Sequence, residues 1–505
     1  MSSLNDENKA VRLPTFKEAI TPIIFMVLVL AIGMGLLGWP TGVCLLISAT
    51  CAGIIAVSKL NYSWEQIEKF VIDKFAAVMP ACFIVILVGF MVATWSFSGT
   101  LPMMVYYGME IIKPELVLVL SFVLTAILSY VSGNSWGSVA SIGVALMGVG
   151  IGLGVDVGML AAAIVTGAYF GDKLSPLSDT TNLASAVTKA PLYDHIKYML
   201  WTTVPSTILA LVFFLYLGYT TDSAGGVSES SARLLEQLAS IYQFGFLPLV
   251  PMLVILVCTF IGKPAVPSML LSSLAAVLVG WQYQGFELIN GVQATMNGFD
   301  VGMIGVDPAT LEPEVLNLLN RGGLNNQGGF LAFIICAMAF AGILTGTRMM
   351  DVAMSEMTKK ITTAKSAILG SGVICIVINM LTGSDGLNKV ITTELMQRRF
   401  LQLKLNPLVL SRTLEDFGTM TGPAIPWTAA GLYMATTLGV PTMEYLPYCL
   451  LFFGSMAFAT IYAMTGYTIK YMTDEEIAEF TEKHGIVLDE VKQDTNISVP
   501  VAQLT

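Results

Sequence analysis

The sequence predicts an all-α polytopic membrane protein: an inverted-repeat transporter with two re-entrant hairpins, two discontinuous helices and about ten full spans. Three observations carry that reading. In 505 residues, 55% are hydrophobic and 12% charged, about half the charge density of a soluble domain. Apolar runs such as 20–38, 80–97 and 201–219 reach the roughly 20 residues that carry a helix across about 30 Å of hydrocarbon, and the alternating segments of a β-barrel are missing. The second observation is that polar breaks occur twice. SGNSW at 132–136 and GDKLSPLSDTTN at 171–182 are followed, about 250 residues later, by TGSDG at 382–386 and EDFGTMTGPAIPW at 415–427. Irregular backbone at membrane depth is tolerated only where protein or a wet cavity encloses it, so paired breaks point to a site between two repeats. The third is charge placement: 20 of the 25 Lys and Arg, Lys74 and Arg412 among them, fall on one side of an alternating set of spans, leaving Lys113, Arg233 and Arg321 outside.

Each element follows from these patterns. Residues 1–19 read as a cytoplasmic N-terminal segment, whose Asp6, Glu7 and Glu18 argue against a cleaved signal peptide. The first repeat covers 20–220. With Lys113 outside and Lys189 inside, an odd number of crossings must separate them, yet the chain offers an apolar pair, 115–131 and 136–153, and then a broken run, 156–188. A hairpin with its tip at SGNSW, followed by one helix broken at GDKLSPLSD, meets that condition. Residues 221–242 read as an outer linker, and 243–470 as the second repeat. Lys365 and Arg398 both fall inside, so the hairpin around TGSDG enters from the cytoplasm and the broken helix through 415–440 runs outward, which inverts the second repeat. WEQIEKF at 64–70 resembles GFELING at 285–291, and FSGTLPMM at 97–104 resembles LTGTRMM at 344–350, with an extra polar loop near 301–328. Segments near 63–78 and 284–297 read as short amphipathic helices on opposite membrane faces. Residues 471–505 read as a solvated, acidic cytoplasmic tail.

Ionisable and polar groups inside an apolar span are expensive and mark function by default. The hairpin tips and helix breaks supply carboxylate, hydroxyl, amide and free carbonyl oxygens, which a hard cation such as sodium prefers. Asn134, Ser135, Asp179, Thr180, Ser384 and Asp385 are the candidate cation ligands, and Asp172, Asp385 and Asp416 the candidate proton-coupling groups. Alternatively, Asp172 with Lys173, and Asp385 with Lys389 one turn on, only neutralise each other. Ser175 followed by Pro176, and Thr421 followed by Gly422 and Pro423, are read as the starts of new half-helices whose amides favour an anion. Lys173, Ser175, Ser178, Asn182, Thr419, Thr421 and Trp427 are therefore candidate contacts for a small carboxylate. His195 and His484 fall in cytoplasmic segments, which argues against a histidine relay or metal site, and no cofactor is expected beyond a transported sodium ion. Trp39, Trp95 and Trp201 read as interface anchors, and the seven cysteines as small core residues. No basic stripe suggests nucleic acid, no nucleophile and base arrangement suggests an enzyme, and dead-end hairpins suit alternating access better than a channel.

GDKLSPLSDTTNLA at 171–184, with LSRTLEDFGTMTGPAIPW at 410–427, resembles the NhaC family of sodium/proton antiporters. That family includes malate/lactate antiporters and belongs to the ion-transporter superfamily; the resemblance extends over about residues 15–470. It implies a multi-pass protein of the bacterial inner membrane, with both termini cytoplasmic, that exchanges sodium for protons by an elevator movement among membrane lipids, in a superfamily where homodimers are common. The second motif departs from the family pattern around Phe417, Met420, Gly422 and Ala424. This leaves open a coupled exchanger of malate, lactate or an amino acid.

Overall fold

Hydroxyl and amide side chains open many helices of this chain, and residues of positive φ close several of them. The computed structural model describes residues 11–33, 36–220, 229–261, 263–358, 361–486 and 488. Asp6 and Glu7, read above against a signal peptide, lie outside the described residues, as do Lys9, Lys359, Lys360 and Lys492 among the 20 basic residues counted on one side. Phe16–Gly33 (α1) leads to Thr41–Leu60 (α2), which ends at Asn61 with φ 62°. Ser63 and Gln66 form a capping box for Trp64–Ser98 (α3), and Gly99, at φ 78°, turns the chain by 72° into Thr100–Ile111 (α4). Val117–Ser132 (α5), Ser135–Gly152 (α6), Val157–Leu174 (α7), Asp179–Thr188 (α8) and Leu192–Thr220 (α9) complete the first repeat. Glu229–Ile241 (α10) forms a helix within the linker.

The second repeat contains Val250–Phe260 (α11), Ala265–Gln282 (α12), Leu288–Asn297 (α13), Pro313–Leu319 (α14), Gly328–Gly346 (α15) and Met349–Thr358 (α16). Ala364–Thr382 (α17), Asp385–Gln402 (α18), Pro407–Thr413 (α19), Ala429–Leu438 (α20) and Leu450–Thr465 (α21) follow, then Asp474–His484 (α22). Boundaries from Ser132 to Leu192 recur 250 positions later: α6 at α18, the start of α7 at Pro407, α8 at α20, and Leu192 at the helical start Thr442. The α15–α16 break at Arg348, with φ 60°, is the counterpart of the bend at Gly99. Eight described helices are long and apolar enough to cross a membrane, or ten if each bent pair is one span. Both arms of the first hairpin and the entering arm of the second are among the eight, so length alone does not separate a span from a hairpin arm. This is a multi-pass, all-helical membrane protein.

Burial places the core. The most apolar windows of α6 and α7 are each 83% buried, against 44% for α5 and 33% for α1 and α9, so the returning arm of the hairpin and the start of the broken helix are enclosed while the outer helices are largely exposed. Gly167 and Gly171 let α7 press onto α5, since a Cβ at either would overlap the carbonyl oxygen of Phe122 or Ala126. Three expectations are corrected. Residues 63–78 are not a separate amphipathic helix: they form the first part of α3, which continues through Pro80 to Ser98. Lys74 and Arg412 are buried rather than at a wet surface. Trp95 is fully buried, its Nε1 donating to Ser272 Oγ at 2.9 Å, and is not an interface anchor. All seven cysteines are free, four of them buried.

Candidate functional site

Each hairpin tip is seated on the break of its own repeat. In the first, Gly133 turns the chain at φ 64°, and Asn134 caps α6 by accepting from the Gly137 amide at 2.9 Å. A Cβ on Gly133 would lie 2.5 Å from the Leu177 carbonyl carbon, so only glycine permits this approach to the break between α7 and α8. In the second, Gly383 has the same φ of 64°, Ser384 caps α18, and the Gly383 carbonyl accepts from the Ala429 amide at 3.0 Å. Ser178 caps α8 through the Thr181 amide, and Thr428 caps α20 through the Gly431 amide. The half-helices therefore start three and seven residues later than Ser175 and Thr421 suggested. Ser175 instead accepts from the Leu177 amide at 3.2 Å, and Thr421 donates to the Phe417 carbonyl at 2.6 Å.

Between the tips lies a cavity of about 990 Å³ that all six predicted cation ligands line: Asn134, Ser135, Asp179, Thr180, Ser384 and Asp385. Asp172 lines it too, accepting from Ser135 Oγ at 3.2 Å and Thr180 Oγ1 at 3.5 Å through Oδ2. Its Oδ1, the Oδ1 of Asp385 and the Tyr169 hydroxyl are buried with no hydrogen-bond partner among the described residues. Buried oxygens left in that state are costly unless something else completes them. Asp385 presses on Gly422, where a Cβ would sit 2.5 Å from Oδ1. Asp179 is exposed and accepts from the Thr180 amide at 2.9 Å. One wall is tied across the repeats: Trp136 stacks on Tyr433 at 4.3 Å, and the Tyr433 hydroxyl donates to the Trp136 carbonyl at 2.8 Å.

Behind the cavity is a layer of buried charge. Leu414–Gly418 forms one π-helical turn that presents Glu415 and Asp416, an irregularity common at functional sites. Asp416 Oδ1 accepts from Lys173 Nζ at 2.5 Å and Thr202 Oγ1 at 2.9 Å. Its Oδ2 lies 3.9 Å from Arg412 Nε, whose guanidinium sits 4.4 Å over the Tyr198 ring. Lys389 Nζ lies 3.7 Å from Glu415 Oε1. The neighbour pairings Asp172 with Lys173 and Asp385 with Lys389 are thus both replaced by pairings onto the π-helical turn. His195 is fully buried in the first turn of α9, with neither ring nitrogen partnered among the described residues, so it does not lie at a wet surface.

A family model described as the Na+/H+ antiporter family matches residues 167–467, from α7 to beyond α21. The chain belongs to that family. An uncharacterized Na+/H+ antiporter of Haemophilus influenzae is 39% identical over 90% of this chain and 97% of its own length. The Na+/H+ antiporter NhaC of Alkalihalophilus pseudofirmus is 32% identical over 85% and 90%. The malate-2H+/Na+-lactate antiporter of Bacillus subtilis is 31% identical over 93% and 98%. The resemblance to the NhaC family, read from two motifs, is borne out.

Within this antiporter the predicted carboxylate contacts fare differently from the cation ligands. None of Lys173, Ser175, Ser178, Asn182, Thr419, Thr421 and Trp427 lines the cavity. Their polar groups are mostly spent locally: Asn182 Nδ2 donates to the Pro176 and Ser178 carbonyls, and Trp427 Nε1 to the Met380 carbonyl. Thr419 is fully buried. Asp416 also stands outside the cavity, locked to Lys173. Sequence reading missed Tyr169, although its position three residues before Asp172 puts both on one face of α7.

Proposed function

We propose that this antiporter exchanges sodium for protons by alternating access across the bacterial inner membrane, with both termini cytoplasmic. The supporting observation is that two buried carboxylates, Asp172 from the first unit and Asp385 from the second, line one cavity, each with an oxygen that has no hydrogen-bond partner among the described residues. Sodium is taken between them, with Ser135, Thr180, Ser384 and Asn134 supplying neutral oxygens and Asp179 drawing the ion toward the site. Two buried carboxylates on one cavity are costly to keep charged, and a bound cation offsets that cost. In proteoliposomes holding the purified protein and a pH-sensitive dye, a sodium gradient moves protons without any organic solute. A proton movement that requires malate, lactate or an amino acid would overturn this reading.

One observation favours a second reading, the coupled exchange of a small carboxylate. A cavity of about 990 Å³ is of the size that holds organic ligands, and Lys389 and Lys263 line it. The malate/lactate relative points the same way. Lys173, engaged with Asp416, is not the anion contact in this version.

A further inference from the structure

Lys389 and Glu415 form a pair left open. Lys389 follows Asp385 by one turn of α18, so both lie on one helix face, and Lys389 lines the cavity. Its ammonium carries three donors, yet it is buried with no hydrogen bond among the described residues, and both Glu415 carboxylate oxygens are in the same condition. The 3.7 Å between them is too long for a hydrogen bond. The adjacent pair, Lys173 and Asp416, is closed at 2.5 Å and braced by Thr202. The same turn of chain thus holds one locked ion pair and one loose one. Asp385, one turn earlier on the same helix face, also has an unpartnered Oδ1. The ammonium, on a flexible four-carbon stem, thus has two underused acceptors as neighbours, one lining the cavity and one outside its lining.

We propose that Lys389 is a tethered counter-cation that occupies Asp385 when sodium is absent, and that Glu415, outside the cavity, carries the exchanged proton. This rests on the sodium/proton exchange proposed above and assigns its coupling. In the sodium-free state Lys389 pairs with Asp385 and Glu415 is protonated. Arriving sodium takes the Asp385 carboxylate, and the displaced ammonium moves onto Glu415. Glu415 then gives up its proton, so that one sodium enters as one proton leaves, and both sides of the step carry the same charge. Sodium and proton never share an oxygen; their antagonism passes through the ammonium. The titratable groups that interact with this pair are Asp172 of α7, His195 of α9, Cys375 of α17 and Asp385 of α18; next to them, Lys173 of α7 and Arg412 of α19 are engaged with Asp416, and Asp179 of α8 acts on Asp172 and Asp385. Lys173 is held on Asp416 Oδ1, and Arg412 by its stacking on Tyr198 and its hydrogen bond to Thr468; Lys389, with no hydrogen bond among the described residues, is the cation able to change partners.

The test uses full-length protein in proteoliposomes with two readouts: ²²Na+/Na+ exchange, which requires no proton, and sodium-driven proton movement. Glu415→Gln is expected to keep ²²Na+/Na+ exchange near wild type and to lose proton movement by about a hundredfold, as removal of a proton-transfer group does. Lys389→Gln, which cuts the link between the two carboxylates, is expected to lose sodium-driven proton movement by a similar factor, and serves if Glu415→Gln does not fold. Proton movement at the wild-type rate in either variant overturns the proposal. Loss of both activities in a variant that remains monodisperse also overturns it. If wild-type protein itself moves no protons on a sodium gradient, the functional reading fails instead.

Discussion

The two hairpin-and-break units share one backbone and divide their chemistry differently. At matched positions 250 apart, the first unit has Ser135 on the hairpin and Asp172 on the broken helix; the second has Asp385 on the hairpin and Gly422 on the broken helix. Each unit brings one carboxylate to the contact between tip and break, from opposite partners. Packing shows the same exchange. In the first unit Gly167 of α7 accepts the backbone at Phe122 of α5, whereas in the second Gly372 of α17 accepts the ring of Phe417, 2.8 Å from where a Cβ would stand. Duplication preserved the shape of each contact while the small and large, or neutral and charged, members changed sides. The remaining buried charge is unequal: Lys389, Arg412, Glu415 and Asp416 come from the second unit, and Lys173 reaches across from the first.

The sharpest way to break this picture is at Lys173. Lys173→Ala leaves Asp416 buried without its ammonium, which costs about 3–5 kcal/mol, and should appear as a large fall in melting temperature in detergent. The second unit has Pro423 at the matching position and no such dependence. Asp385→Asn comes next. It should lower sodium exchange by about a hundredfold, about 2.7 kcal/mol, with folding retained, as measured by ²²Na+ uptake; an undiminished rate would remove Asp385 from the site. A relocation test follows. Ser135→Asp together with Asp172→Gly gives the first unit the arrangement of the second, and should retain uptake better than Asp172→Gly alone. If the double variant is no better, the exchange of sides is not functionally equivalent. The smallest effect concerns the caps: Ser178→Ala and Thr428→Ala should each cost about 1 kcal/mol, and a clear inequality in melting temperature would mean that the two breaks bear different loads.

Sequence made the architecture legible because polar residues inside apolar runs have few explanations, and the two breaks announce themselves twice. Asp172 and Asp385 were visible for that reason. The pairings were not. Lys173 and Asp416 are 243 residues apart, and the nearer candidate, Asp172, fails because adjacent helical residues do not face one another. The caps misled differently: Ser175 with Pro176 carries the composition of a helix start, but the chain runs three residues further before Ser178 supplies the capping oxygen. Arg412 was counted among wet basic residues because its stacking on Tyr198 leaves no local trace in the sequence.

The last described segment has a mechanical consequence. The Met472 amide donates to the Lys404 carbonyl and the Asn406 amide to the Lys470 carbonyl, while Lys189, just after the first half-helix, reaches the His484 carbonyl at 3.0 Å. Gln397 Nε2 also donates to the Thr188 carbonyl, and Leu401 packs with Met472 and Ile477. One strap thus fastens the end of the first broken helix to the exit of the second hairpin. Any displacement that carries the cavity must carry the strap, so a spectroscopic label near Glu479 would report the travel of the site from a place that no transported ion touches.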